Sequence, residues 1–152
     1  ISDRQGQVRR DPFAMLPFIG YSLGAYLSHW LNMEQRLDQN RLPLIFHVNW
    51  FRKGADGRFL WPGFGQNIRV LKWVFGRALG QLGARISPIG WLPAPEDLDL
   101  EGLENMDAES LLQVDYDAWR AEAAAIRAFY DRQGDIPDAL WSELEVLEER
   151  LA

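Results

Sequence analysis

Apolar residues recur at helical spacing in two stretches of the chain. After Pro17 and Gly20, the repeating positions are Leu23, Tyr26, Leu27, Trp30 and Leu31. After Gly65, they are Val70, Leu71, Val74, Phe75, Ala78 and Leu79. Each set falls on one face of a helix with about 3.6 residues per turn, so we predict a helix at each place. Asn67 precedes the second set and carries a side chain favoured at an N-cap.

A short run at residues 44–50 separates these two helices. It follows Pro43 and is rich in β-branched and aromatic residues, which predicts a strand. His47 alternates with apolar neighbours in this run. We therefore expect His47 to be a core histidine rather than a ligand.

Two helices are predicted in the acidic part of the chain that follows. Residues 84–95 contain three prolines and Gly90, so we expect irregular structure there. Asp115 or Asp117 then begins a helix that ends at Gly134, and Asp138 caps a last helix. The expected inward positions are Trp119, Ala123, Ile126 and Tyr130, then Leu140, Leu144, Leu147 and Leu151. No linker stands out that would divide the chain.

The composition is that of a globular protein, with 47% hydrophobic and 25% charged residues among 152. No apolar run approaches the ~20 residues needed to cross a bilayer, and the start has no secretory signal. Cysteine is absent, which favours a cytoplasmic protein without disulfides. Because the sequence begins with Ile1 rather than methionine, we expect a piece of a longer chain.

Charge is distributed unevenly along the chain. Residues 1–92 contain 12 Lys and Arg against 5 Asp and Glu, whereas residues 93–152 contain 4 against 17. A basic half suits an anionic ligand such as a nucleotide. Two solvated faces that attract each other within one fold would explain the same distribution equally well.

Residues 50–67, the aromatic loop, combine rings with turn residues. The loop contains four glycines, Pro62 and five aromatic rings: Trp50, Phe51, Phe59, Trp61 and Phe64. Asp56 and Gly57 are a strong turn signal, so we predict a hairpin in which residues 50–51 face residues 59–60. Rings held on a loop can stack on a planar base. The alternative is a hydrophobic hairpin that covers the edge of a core.

Motifs for catalysis are missing from the sequence. No Gly-Lys pair occurs, so the chain has no phosphate loop of the G-x-x-x-x-G-K-[ST] form. The two histidines, His29 and His47, lack the spacing of a metal site. We therefore predict no catalytic residue and no metal ligand in this chain, and no turnover by it alone.

Residues 45–53 and 59–67 together closely resemble the nucleotide-base loop of GTP-dependent phosphoenolpyruvate carboxykinases. Residues 10–21 resemble the segment that follows the mobile lid of the same family, and the two motifs come in the family's order. The likeness is strong over residues 1–80 and compatible to the end of the chain. Gln66 departs from the pattern, in which we expect an acidic residue.

The resemblance implies a fold and a site. The fold would be the C-terminal part of the carboxykinase fold, of mixed α/β (α+β) class, with this chain mostly helical and with a few short strands. Residues 1–152 would be one C-terminal segment of the nucleotide-binding catalytic domain, containing part of the lid (1–10), the strand and guanine-binding loop (44–67) and an acidic helical tail (93–152). Phe51, Phe59 and Phe64 would enclose a guanine, with Trp50 at its edge and Asn67 contacting the base. The lid positions would be Arg4, Gln5, Gly6 and Gln7, although a disordered terminus would read the same way.

The resemblance also implies an activity. The family converts oxaloacetate and GTP to phosphoenolpyruvate, carbon dioxide and GDP, in gluconeogenesis or anaplerosis. It uses manganese (Mn2+) and magnesium (Mg2+), whose ligands would precede residue 1. We expect a cytoplasmic monomer that binds neither nucleic acid nor membrane. The alternative function is a stand-alone purine-nucleotide-binding or protein-interaction module without catalysis.

Overall fold

The computed structural model describes residues 15–103 and 106–152, apart from the side chain at position 39. The α-helices are α1 (Leu23–Arg36), α2 (Asn67–Ala78), α3 (Ala108–Leu112), α4 (Tyr116–Gln133) and α5 (Asp138–Leu151). The strands are β1 (Arg85–Ser87) and β2 (Gly90–Leu92), and the 3-10 turns are Leu16–Phe18, Gln39–Arg41, Phe64–Gln66 and Pro95–Asp97. The prediction of a mostly helical chain with few strands is therefore confirmed.

The chain folds as two compact units. The first combines the described residues before Pro43 with Tyr116–Ala152, and the second is Pro43–Asp115. The acidic stretch from residue 93 onward is thus shared between both units. No described helix has both the length and the apolar character required to cross a membrane.

The first unit is built on α1, α4 and α5. Leu23, Phe129 and Ile136 form one buried cluster, and Ala123, Leu144 and Leu151 form a second between α4 and α5. Leu23 and Ala123 lie on the predicted apolar faces, and the predicted α1 and α4 are confirmed. The predicted last helix is also present, but Asp138 is its first helical residue and Pro137 occupies the N-cap. The expected Asp138 cap is therefore wrong.

Close packing of α1 depends on Gly24. Its backbone N–H donates to Asp135 Oδ1 at 3.3 Å, and a Cβ at this position would overlap the Asp135 carbonyl. Ser22 caps the same helix, because its hydroxyl oxygen accepts from the Ala25 N–H at 3.2 Å. The start of α1 is thereby fixed against the connection between α4 and α5.

A double hydrogen bond joins the exposed faces of α4 and α5. Arg127 Nε and Nη2 donate to the two carboxylate oxygens of Glu148 at 3.0 and 2.6 Å. Hydrogen bonding to Arg127 lowers the pKa of Glu148, and the same bond raises the pKa of Arg127. Nearby, burial raises the pKa of Tyr130, whose ring packs edge-on against Trp141.

The second unit packs around one face of α2. Trp73 and Gly76 are buried there, and the Phe46 ring meets Trp73 edge-on with centroids 6.0 Å apart. Residues 85–92 form an antiparallel hairpin in which Ile86 pairs with Trp91. The expectation of irregular structure over residues 84–95 is wrong for this hairpin. Pro88 and Gly90 are the positions that shape its turn, with Gly90 at φ 116°.

The predicted strand at residues 44–50 is wrong. Within the described ranges, no strand lies beside these residues and they make no ladder hydrogen bonds. Leu44 and Ile45 are exposed, and so is His47, which corrects its expected core position. A strand requires a neighbour to accept and donate its backbone hydrogen bonds, and composition alone does not supply one.

Candidate functional site

The aromatic loop begins with a tight hairpin. The Leu60 N–H donates to the Arg52 carbonyl at 2.8 Å, and the Gly54 N–H donates to the Arg58 carbonyl at 2.9 Å. Gly57 adopts φ 77°, as the sequence signal at this turn requires. The predicted turn is therefore confirmed, but the predicted register is wrong, because Lys53 and not residues 50–51 pairs with Phe59.

This hairpin brings two phenylalanines together at the protein surface. The Phe51 and Phe59 rings meet edge-to-face, with centroids 5.9 Å apart and planes at 65°. Both rings remain largely exposed, at 73% and 56%. Lys53 Nζ lies 5.4 Å from the Phe59 centroid, which places a cation beside the pair. Exposed aromatic surface with a neighbouring cation suits a planar, anionic ligand.

Phe64 is presented by a separate turn. Gly63 adopts φ 120° and ψ −174°, a conformation that is essentially restricted to glycine. The chain then enters the 3-10 turn Phe64–Gln66, closed by a 3.1 Å hydrogen bond from the Gln66 N–H to the Gly63 carbonyl. Phe64 is 91% exposed, so its ring contributes little to packing this unit together.

A buried tryptophan links the hairpin to α2. Trp61 is only 7% exposed, and its ring lies 5.8 Å from that of Trp50. Its indole Nε1–H donates to Asn67 Oδ1 at 2.8 Å. This hydrogen bond spans the turn that carries Phe64 and holds Asn67 at the start of α2.

Asn67 is not the N-cap that we predicted. It has helical dihedrals, φ −58° and ψ −28°, and the N-cap position belongs to Gln66. The reason is that the 3-10 turn leads directly into α2, so the chain is already helical when it reaches Asn67. The Asn67 carboxamide oxygen is consequently available to Trp61 rather than to the helix backbone.

Arg69 fastens this turn to a neighbouring loop. Its Nε donates to Gln66 Oε1 at 2.7 Å, while Nη1 and Nη2 donate to the carbonyls of Asp99 and Glu101 at 2.6 and 2.9 Å. The backbone N–H of Glu101 lowers the pKa of Asp99, and Lys72 and Arg69 act in the same direction. Gln66, where the resemblance led us to expect an acidic residue, thus accepts from a cation.

The structure brings most of the predicted site residues into one part of the second unit. Trp50, Phe51 and Phe59 lie on the hairpin, Phe64 lies on the following turn, and Asn67 is tied back to the hairpin by Trp61. Sequence reasoning did not assign a role to Trp61 or to Arg69. Gln66 and Arg69 are three residues apart, about one helical turn, and this spacing could have indicated the contact that Arg69 makes.

The predicted lid and the predicted absence of metal ligands concern other parts of the chain. The lid residues Arg4, Gln5, Gly6 and Gln7 lie outside the described residues. In residues 15–103 and 106–152, no group of three or more His, Asp or Glu side chains is arranged to hold a metal ion.

Comparison with known proteins agrees with the resemblance noted in the sequence. The family model described as "Phosphoenolpyruvate carboxykinase C-terminal P-loop domain" matches residues 1–150. "Phosphoenolpyruvate carboxykinase [GTP]" of Arthrobacter sp. (strain FB24) is 51% identical over 150 residues, covering 97% of this chain and 24% of the relative. The protein of the same name from Neocallimastix frontalis is 51% identical, covering 96% and 24%. "Phosphoenolpyruvate carboxykinase, cytosolic [GTP]" of Bos taurus is 46% identical, covering 95% and 24%.

These matches extend over almost the whole chain, whereas the chain spans about a quarter of the length of the curated relatives, 24% in each case. A family model that covers residues 1–150 leaves little of the sequence unexplained. The chain therefore belongs to the phosphoenolpyruvate carboxykinase C-terminal P-loop domain family.

Proposed function

We propose that this chain supplies the guanine-binding site of a GTP-dependent phosphoenolpyruvate carboxykinase. The observation that carries the proposal is the contact between the exposed rings of Phe51 and Phe59, in the same loop as exposed Phe64 and the hydrogen-bonded pair of Trp61 and Asn67. Contiguous exposed apolar surface is typical of ligand and partner sites. The chain matches part of two relatives whose names contain GTP.

In this proposal the rings and the amide have different tasks. Phe51, Phe59 and Phe64 contribute stacking surface, and Trp50 lines the edge of the base. Stacking is tolerant of base identity because every base has a π face. Asn67 contributes the polar contact, which distinguishes bases through their hydrogen-bonding edges.

The reaction proposed for the whole protein is the conversion of oxaloacetate and GTP to phosphoenolpyruvate, carbon dioxide and GDP. Mn2+ and Mg2+ belong to this proposal, but the described residues offer no donor set that fits either ion. We therefore assign no step to a metal held by these residues. The contribution of this chain is to bind and orient the nucleotide base, and Arg4, Gln5, Gly6 and Gln7 are proposed as part of a lid.

We also propose that the whole protein is cytoplasmic and monomeric, and that it binds neither nucleic acid nor membrane. The bovine relative carries "cytosolic" in its name, which supports the location. The stand-alone nucleotide-binding or interaction module is not favoured, because carboxykinases named for GTP match 97% and 96% of the chain.

The experiment is a nucleotide titration of the full-length protein and of two variants, Phe51→Ala and Phe64→Ala. Each variant should lose roughly 1–3 kcal/mol of GTP binding free energy, the value of one base–aromatic stack. Oxaloacetate binding should change little. Phe75→Ala is the matched control, since Phe75 is another exposed phenylalanine of the same unit but lies on α2. Unchanged GTP affinity in both site variants would reject the proposed site.

A further inference from the structure

The hydrogen bond between Trp61 and Asn67 determines which way the Asn67 carboxamide faces. An indole N–H can only donate, so its partner must be an acceptor. The carboxamide has one acceptor, Oδ1, and this atom lies 2.8 Å from Trp61 Nε1. The Nδ2 amino group of Asn67 must therefore point away from Trp61.

Burial of Trp61 holds the Asn67 carboxamide in this orientation, while the Asn67 amino group stays open to a ligand. Trp61 is buried and packs against the Trp50 ring, so its indole cannot readily turn to follow a rotated amide. Asn67 is only half-buried. Among the residues that the structure describes, none accepts a hydrogen bond from Asn67 Nδ2. The side chain thus offers a fixed pair of donors to a ligand.

A fixed donor distinguishes purines in a way that a free amide does not. Guanine presents the O6 acceptor at the position where adenine presents the N6 amino donor. A carboxamide that could rotate would offer its amino group to guanine and its oxygen to adenine. With its oxygen turned toward Trp61, the side chain presents its amino donor to position 6, where it can pair with O6 of guanine but places donor against donor when adenine is bound.

We propose that Trp61 is a positioning residue for base selectivity, which favours 6-oxopurine over 6-aminopurine nucleotides by holding the Asn67 amide in one orientation. The inference rests on the proposed nucleotide site. It adds to that site a residue that does not itself contact the base.

The test compares full-length wild-type protein with Trp61→Phe, which keeps an aromatic ring and removes the donor. GTP, ITP and ATP are the probes, because ITP keeps the O6 acceptor and lacks the 2-amino group. Trp61→Phe should reduce the preference for GTP over ATP by about tenfold, the value of one well-placed hydrogen bond. The preference for ITP over ATP should fall by a similar factor, since both ratios depend on the group at position 6.

Two further variants separate positioning from packing. Trp50→Phe makes the same ring change in the neighbouring tryptophan, so it should alter the affinities for GTP and ATP by similar factors and leave their ratio unchanged. Asn67→Asp keeps an oxygen for Trp61 but replaces the amino donor with an acceptor. It should weaken GTP and ITP relative to ATP, and it provides the same information if Trp61→Phe fails to fold.

The outcomes discriminate between the inference and the function on which it rests. A wild-type protein that binds GTP no better than ATP would reject both. A wild-type preference that persists in folded Trp61→Phe, or in Asn67→Asp, would overturn the inference and leave the nucleotide site standing. Loss of the preference in Trp61→Phe together with its retention in Trp50→Phe is the result that we expect.

Discussion

Replacing Gly63 with alanine tests whether the turn before Phe64 is held by backbone conformation. Gly63 adopts φ 120° and ψ −174°, a region that side-chain-bearing residues rarely enter. A Cβ at this position would meet no atom within 4 Å, so packing adds no penalty of its own. The expected cost is therefore the conformational strain alone, about 1–3 kcal/mol.

The strain in Gly63→Ala can either lower the stability of the protein or change the shape of the turn, and measurements of stability and of GTP binding separate these two outcomes. If the turn keeps its shape, Gly63→Ala should lower the free energy of unfolding by that amount. If the turn relaxes, Phe64 and Asn67 should move, because both follow Gly63 directly in the 3-10 turn and α2. GTP affinity would then fall while stability falls less. Thermal unfolding and GTP titration of the full-length protein report the two quantities.

Gly65 provides a matched control only two positions away. It does not have a positive φ, and a Cβ there would also meet no atom within 4 Å. Gly65→Ala should therefore be neutral or stabilising by about 0.4–1 kcal/mol, because alanine restricts the unfolded chain. A Gly63→Ala protein with wild-type stability and GTP affinity would refute the argument from backbone conformation. Weak GTP binding by Gly65→Ala alone would instead indicate close approach of the ligand.

Three other predictions concern stability and the division of the protein. Leu151→Ala should cost about 2–5 kcal/mol in urea denaturation, because Leu151 is fully buried between α4 and α5, whereas exposed Val146→Ala on α5 should cost much less. Glu148→Gln should lower stability slightly at neutral pH, since the side chains of Arg127 and Glu148 are both more than a third exposed and solvent screens their interaction. The pKa of Glu148 is lowered in the fold, so its contribution is present above the ordinary carboxylate pKa and is lost as pH falls through the lowered value; equal pH profiles of the two proteins would contradict this. The isolated 152-residue chain should show no carboxykinase turnover, because it lacks a Gly-Lys phosphate loop, and measurable turnover would move the chemistry into this chain.

Helices were predictable where one continuous apolar face specifies them. The positions of α1, α2 and α4 follow from periodicity, and in α1 and α4 the residues that repeat at helical spacing are largely those that pack. In α2 the predicted face is wrong, because the helix packs through Trp73 and Gly76 and leaves Leu71, Phe75 and Leu79 exposed. The turn before Phe59 followed from Asp56 and Gly57, since turn geometry is local, whereas the register of the hairpin did not follow. The hairpin at residues 85–92 was missed although Pro88 and Gly90 are favoured positions of a type I turn.

The failures share a dependence on partners that a local pattern does not reveal. Residues 44–50 have the composition of a strand, but pairing depends on a neighbouring strand. Asn67 has the chemistry of a cap, yet the conformation of the preceding turn decided where the helix begins. Gly24 has a low helix propensity, and its value lies in contact with Asp135, far away in the sequence.

The resemblance named the residues of the candidate site that would contact a base, but not the residues that support them. The rings that a base could contact were named, whereas Trp61 and Arg69 were not. Their roles depend on hydrogen bonds across a turn and to a distant loop, at 2.8 Å to Asn67 and 2.6 Å to Asp99. No periodicity in the sequence encodes such contacts.

This separation between exposed rings and buried supports predicts that affinity and selectivity can be altered independently. Phe51 is exposed and offers a surface that any base can use, so Phe51→Ala should weaken GTP and ATP by similar factors. Trp61 is buried and acts through Asn67, so Trp61→Phe should change the ratio between them. The GTP-to-ATP affinity ratio should therefore be the same with and without Phe51, both in wild-type protein and in the Trp61→Phe background. A ratio that changes when Phe51 is removed would show that the rings themselves read the base, and the amide would lose its assigned role.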